Sequence, residues 1–373
     1  MPSLARIVLN HIALLLSTVH ECGPTPFEDR PVKLLVQLTA AAAIAAFSGS
    51  AAASLNTLAT FSGNVGLSVD GVGGNNAAVG DVQAEIPIGA TILRAYLYSA
   101  GVPFPFYGDA PKTLLDYNTS GITLAGNVID NFDTLVGATS TPRPDIGRWF
   151  TARADVTSLV RTLTMGAGTS SFNWAVTEGT KNLLIDGEAL VIVYSHASRP
   201  LGSIALLDGG QDTGGETSTV NLGTPLTDPN AAGFAAELGL AISFSCCDQK
   251  STIKINGTTL TDNAGQLDDG DVCCDGALIT VGGLGDPLSL PNPSYADDHE
   301  HYDLRPFLST GDTSFSIFTN NATADDNIFF ASLYLTGDIT DVTPNNVPEP
   351  ASLGLMVAGL GALTALSRRR KLN

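Results

Sequence analysis

Positive charge is what this sequence has least of for its size. Its 373 residues hold 18 Lys and Arg against 37 Asp and Glu, a net charge of −19, and through most of the chain the cations stand one at a time. A protein that follows a phosphate backbone needs a basic stripe, so nucleic acid is excluded as a partner. Charge of either sign is thin, at 15% of positions, while 44% are hydrophobic; that excludes a disordered chain, which stays unfolded by having little apolar surface to bury. Several chemistries lack their signatures. No G-x-S-x-G, H-E-x-x-H or EF-hand loop is present, and Gly71 to Gly74 stand in Asn- and Gly-rich loop sequence rather than between a strand and a helix. Helical periodicity is scarce too, with Asp155 to Thr162 the best short segment and Asp155 its expected cap.

What is present begins with the two ends. Lys33, the apolar stretch Leu34 to Phe47 and the small residues Ser48 to Ala53 have the charged, apolar and small-residue parts of a secretory signal peptide, with Ala51 and Ala53 before a cut at Ser54. Residues 1–53 therefore read as a leader. About thirty residues precede the signal, which places the expected translation start near Val32; the other reading is a genuine N-terminal segment with its own helix at Ile7 to Leu16. At the other end, residues 342–373 contain Val347-Pro348-Glu349-Pro350, an uncharged apolar run from Ala351 to Leu366, and Ser367-Arg368-Arg369-Arg370-Lys371. The run is shorter than the ~20 residues of a comfortable span, and the basic cluster behind it sets a cytoplasmic tail with the body outside.

The order of Pro348-Glu349-Pro350, apolar helix and Arg368-Arg369-Arg370 resembles the PEP-CTERM sorting signal in all three parts. The resemblance implies processing by an exosortase, a membrane protease-transpeptidase, after a transient stay in the inner membrane and before arrival at the cell surface or outside the cell. It covers residues 347 to 371 and is silent on the body.

Without its leader the chain keeps four cysteines in two adjacent pairs, Cys246-Cys247 and Cys273-Cys274. In an exported protein an even number reads as disulfides. Adjacent cysteines bridge each other badly, so two bridges between the pairs are expected; a four-thiolate metal site is the alternative, although adjacent side chains of an extended chain point apart.

From Ser54 to about Asp341 short apolar stretches are broken every eight to twelve residues by Gly, Pro, Asn or Asp. Ile92 to Tyr98, Ala189 to Tyr194, Ser203 to Leu207, Thr252 to Ile255, Ser314 to Thr319 and Ile328 to Leu335 are rich in β-branched and aromatic residues and read as strands. The expected fold is all-β, an antiparallel jelly-roll-like β-sandwich over residues 54–341, between the signal peptide and a single C-terminal apolar helix. One large sandwich is the first reading, and two lobes divided near 209–215 the second. Four phrases, Ile86 to Tyr98, Ala154 to Val160, Gly187 to Tyr194 ending in Leu207-Asp208-Gly209, and Asp325 to Phe330, resemble blocks of secreted bacterial β-sandwich proteins. That resemblance implies no activity.

Residues 248 to 326 hold 14 Asp and Glu but only three Lys and Arg. Asp268, Asp269, Asp271, Asp297, Asp298, Asp303, Asp325 and Asp326 lie in Gly- and Asn-bearing loop sequence, which suits Ca2+ with its six to eight oxygen ligands. The competing reading is Asx turns and a solubilising surface. His299 and His301, two apart, would share one face of a strand, but with His196 they make a thin set for zinc. Phe104, Phe106 and Tyr107, between prolines, and Trp149-Phe150 either stack on sugars or close the core. Together these features predict a structural or adhesive surface protein that binds extracellular polysaccharide with calcium-stiffened loops. The alternative is a glycan hydrolase using two carboxylates within 268–303.

Overall fold

A computed structural model describes residues 54–73, 79–101, 119–137, 150–178, 185–211, 215–243, 250–265, 279–283, 288–289, 300–321 and 327–345. In chain order the strands are β1 (Leu55–Gly63), β2 (Val65–Val72), β3 (Val79–Glu85), β4 (Thr91–Gly101), β5 (Thr123–Leu124), β6 (Asn127–Val128), β7 (Asp133–Gly137), β8 (Phe150–Asp155), β9 (Ser171–Thr177) and β10 (Gly187–Ser195). They continue with β11 (Gly202–Gly209), β12 (Glu216–Leu222), β13 (Ala236–Ser243), β14 (Ser251–Ile255), β15 (Thr258–Ala264), β16 (Ile279–Val281), β17 (His301–Asp303), β18 (Ser314–Asn321), β19 (Asn327–Leu335) and β20 (Ile339–Asn345). Among the described residues one α-helix, α1 (Thr157–Thr164), follows β8.

All strand pairs among the described residues are antiparallel. They make four sheets: sheet 1, β3-β9-β5-β6; sheet 2, β2-β10-β4-β8-β7; sheet 3, β1-β11-β19-β13-β16 with β17 on β13; and sheet 4, β15-β14-β18-β12-β20. Three apolar layers separate them. Val82, Trp174 and Val176 of sheet 1 meet Leu97, Leu190 and Ile192 of sheet 2. Leu67, Tyr98 and Val191 of sheet 2 meet Leu206, Phe329 and Phe330 of sheet 3. Leu238, Leu240 and Leu333 of sheet 3 meet Ile253, Phe315 and Ile317 of sheet 4. The fold is thus antiparallel β in packed layers, as the turn spacing predicts, and it stacks four sheets rather than the two of a single sandwich. The reason is visible in β10, β11 and β19, whose residues are almost all buried: both faces of each strand carry apolar side chains, so both faces need cover.

Each predicted strand lies within an observed one. The chain leaves sheet 2 after Ser195 and enters sheet 3 at Gly202, while Gly209 to Gly215 joins sheet 3 to sheet 4. A bulge where β19 passes β13, between Ile328 and Phe330, turns both Phe329 and Phe330 toward Tyr98, with ring centroids 6.0 and 5.2 Å away. Helix α1 starts two residues later than predicted, but Asp155 still serves its first turn, accepting the Thr157 amide at 2.9 Å. Its N-cap position is taken by Val156. Among the described residues no helix is long and apolar enough to cross a membrane, and Ala351 to Leu366 lie outside them.

Candidate functional site

The mouth of the layer between sheets 1 and 2 gathers acids. Strand β9 sends Trp174 and Val176 inward, and Glu178 follows in the same phase just past its end. Strand β10 sends Leu190 and Ile192 into that layer, and Asp186 and Glu188 precede them at the same two-residue period. Glu178 and Asp186 are 4% exposed and Glu188 is 0% exposed. Ser99, opposite Glu188 on β4, donates its hydroxyl to Glu188 Oε1 at 3.1 Å. Glu188 Oε2 and Glu178 Oε2 have no hydrogen-bond partner among the described residues. Burial, with the neighbouring charges of Glu188 and Asp186, pushes Glu178 up to about 9; burial pushes Glu188 up to about 8 against the opposing Ser99 bond. Burial thus favours the protonated form of both carboxyls. Among the described residues no three Asp, Glu, His or Cys side chains come together in a way that would hold a metal ion.

A second polar set spans the layer between sheets 2 and 3. Arg153 of β8 pairs with Asp208 of β11, and the Tyr98 hydroxyl of β4 donates to the same Asp208 oxygen at 3.0 Å. The Arg153 guanidinium lies 5.4 Å from the centre of the Tyr96 ring. Burial raises the Asp208 carboxyl above its usual range while Arg153 and Tyr98 oppose the shift. This network is a pin between two sheets.

A third set stands where the acidic segments begin. Glu300, 0% exposed, has a φ of 44°, and its Oε1 accepts the Gly265 amide at 2.7 Å while Oε2 accepts the Tyr302 hydroxyl at 2.6 Å. Gly265 and Glu300 are the described residues that flank 266–278 and 290–299, so Glu300 draws together the roots of the two acidic segments. The ladder between β13 and β16 likewise pairs Ser243 with Ile279, the residues flanking the two cysteine-bearing segments.

Of the sequence-predicted metal ligands, Asp303 is among the described residues and is engaged by Arg305. Its Oδ1 accepts Arg305 Nε at 2.9 Å and its Oδ2 accepts Arg305 Nη2 at 2.7 Å. Burial would raise this carboxyl, but the Arg305 bonds and charge hold it below its usual range. Asp268, Asp269, Asp271, Asp297, Asp298, Asp325, Asp326, His299, Phe104, Phe106, Tyr107, Trp149 and all four cysteines of the body lie outside the described residues. His301 faces Glu237, with Nε2 to Oε2 3.1 Å, and His196 Nδ1 is 2.6 Å from Ser198 Oγ. Phe150 is buried against the layer between sheets 1 and 2, closing a core rather than offering a surface. Glu178, Asp186 and Glu188 are absent from the sequence-predicted set. Their signal is phase: Asp186-Gly187-Glu188 runs into an apolar strand on its inward beat.

Comparison with known proteins finds a PEP-CTERM protein-sorting motif at residues 346–371. The motif contains Pro348, Glu349, Pro350 and Arg368 to Arg370, and it begins one residue after β20 ends. No curated protein matches the chain. The chain thus carries the signal of an exported protein, sorted to the cell surface as a substrate of the membrane enzyme exosortase.

Proposed function

We propose that this exported protein is a structural or adhesive component of the cell surface or extracellular matrix, holding polysaccharide through its layered β body. The observation that carries the reading is the junction at Asn345: a sorting motif attached without a spacer to the edge strand of a four-sheet stack. Such a body is built around three apolar layers and presents broad outer sheet faces, as an extended binder requires. The tail passes briefly through the inner membrane before exosortase cuts it.

Two further parts belong to the proposal. Calcium binds the acidic segments around Asp268, Asp269, Asp271, Asp297 and Asp298, and the clamp of Glu300 on Gly265 supports this by bringing the segment roots together. Disulfides join Cys246-Cys247 to Cys273-Cys274, supported by the pairing of Ser243 with Ile279. The deciding experiment incubates the full chain with a panel of neutral and acidic polysaccharides, with and without Ca2+. Retention without release of reducing ends is expected, stronger with calcium. Release of reducing ends would replace this reading with that of a glycan hydrolase.

A further inference from the structure

Sheet 4 buries one face against sheet 3, and its other face packs against no sheet among the described residues. Strands β14, β18 and β12 alternate between inward and outward side chains, and β20 joins their phase after a bulge. Ile253, Ile255, Phe315, Ile317, Val220 and Val342 point into the core. The residues between them are half-buried or exposed and form rows across the sheet: Lys254 opposite Phe318 opposite Thr217, then Ser316 opposite Thr219 opposite Thr343. In the next row Asn221 donates to Asp341 at 3.2 Å, and Thr343 donates to the same carboxylate at 2.7 Å. Over the four strands β14, β18, β12 and β20, about 14 Å at the usual strand spacing, this face is hydroxyl and amide around one aromatic ring.

Its charge sets it apart from the molecule that carries it. Residues 54–346 hold 11 cations and 33 anions, yet the rows of this face contain one cation, Lys254, and one anion, Asp341. Phe318 is half-buried; a Cβ on Gly215 would meet its ring at 3.0 Å, so the ring lies close against that backbone. The Lys254 ammonium stands 5.7 Å from the ring centre, near the outer limit of such contacts. A flat aromatic among short hydroxyls and amides matches a sugar ring, whose C–H face stacks and whose hydroxyls exchange hydrogen bonds. An acidic polymer would meet the field of the whole body, and a protein partner would find little apolar surface.

Resting on the adhesive reading above, we infer that the outer face of sheet 4, centred on Phe318 and flanked by Thr217, Thr219, Ser316 and Thr343, is the docking surface for a neutral polysaccharide chain.

The full chain, purified in detergent, is tested for retention on cellulose, chitin and a soluble mixed-linkage β-glucan, with alginate and heparin as acidic controls. The native chain is retained on a neutral polymer, and half-molar salt leaves retention unchanged because no ion pair is involved. F318A weakens retention about tenfold, F318W preserves it, and T217E/T219E abolishes it while unfolding at the native temperature. If these variants bind neutral polymer as the native chain does, the face is not the site, though the adhesive reading stands. Retention on acidic polymers alone overturns the assignment of a neutral glycan. Retention on none of the five removes the polysaccharide reading together with the face.

Discussion

Two buried glutamates give this molecule a pH response between the ordinary carboxylate range and alkaline pH. Glu178 and Glu188 hold their protons up to about pH 9 and 8 in the folded chain, and release them near the ordinary carboxylate value once unfolded. Between those limits the folded state binds more protons than the unfolded state. Their contribution to stability is therefore fully present below roughly pH 4.5, falls as pH rises toward 8 to 9, and levels off above, by at most about 1.4 kcal/mol per group per pH unit. Thermal unfolding from pH 5 to pH 9 will show a falling midpoint, and E188Q will flatten the slope and exceed the native midpoint at pH 9. A native midpoint that rises over this range contradicts the assignment. The pin between sheets 2 and 3 behaves differently. Y98F removes a donor from the buried Asp208 carboxylate and should cost about 1.5–3 kcal/mol in urea unfolding at neutral pH, with an unchanged m-value. Neither set was legible as a site, because sequence reasoning weighs dense runs such as Asp268 to Asp271, while single acids acquire meaning from the face of the strand that bears them.

At the scale of elements, the strands were legible and their stacking was not. Ala189 to Tyr194 and Ile328 to Leu335 announce themselves by β-branched and aromatic content, whereas β12, with Thr217, Ser218 and Thr219, carries no comparable signal. An unbroken apolar run says that both faces are covered but not by what, so the count of sheets emerges only from the pairing. Strands covered on both sides should open last. Native-state hydrogen exchange is expected to be slowest in β10, β11 and β19 and faster in the edge strands β15 and β20. Close approach between strands gives a second check. A Cβ on Gly239 of β13 would lie 2.7 Å from Ser332 Oγ and nearer still to the Gly282 carbonyl oxygen, so G239A should destabilise by about 1–3 kcal/mol through backbone displacement. A neutral effect in denaturant unfolding would mean that β13 has room to move.

For the whole molecule the address was the most legible part, since Pro348-Glu349-Pro350, an apolar run and Arg368 to Arg370 form a linear signal that needs no fold to be read. The body's role depends on what its outer faces meet, which is a matter of three-dimensional rows rather than of motifs. Delivery of this β body to the surface by the tail, with removal of the tail on the way, is tested most directly by replacing Pro348, Glu349 and Pro350 with alanine in the producing cell and following both ends of the chain by mass spectrometry in membrane and surface fractions. The native protein should appear at the surface without Arg368 to Arg370, and the variant should stay in the membrane fraction with its basic tail intact. A variant that reaches the surface as efficiently as the native chain, or a native surface protein that still carries its tail, would contradict the account.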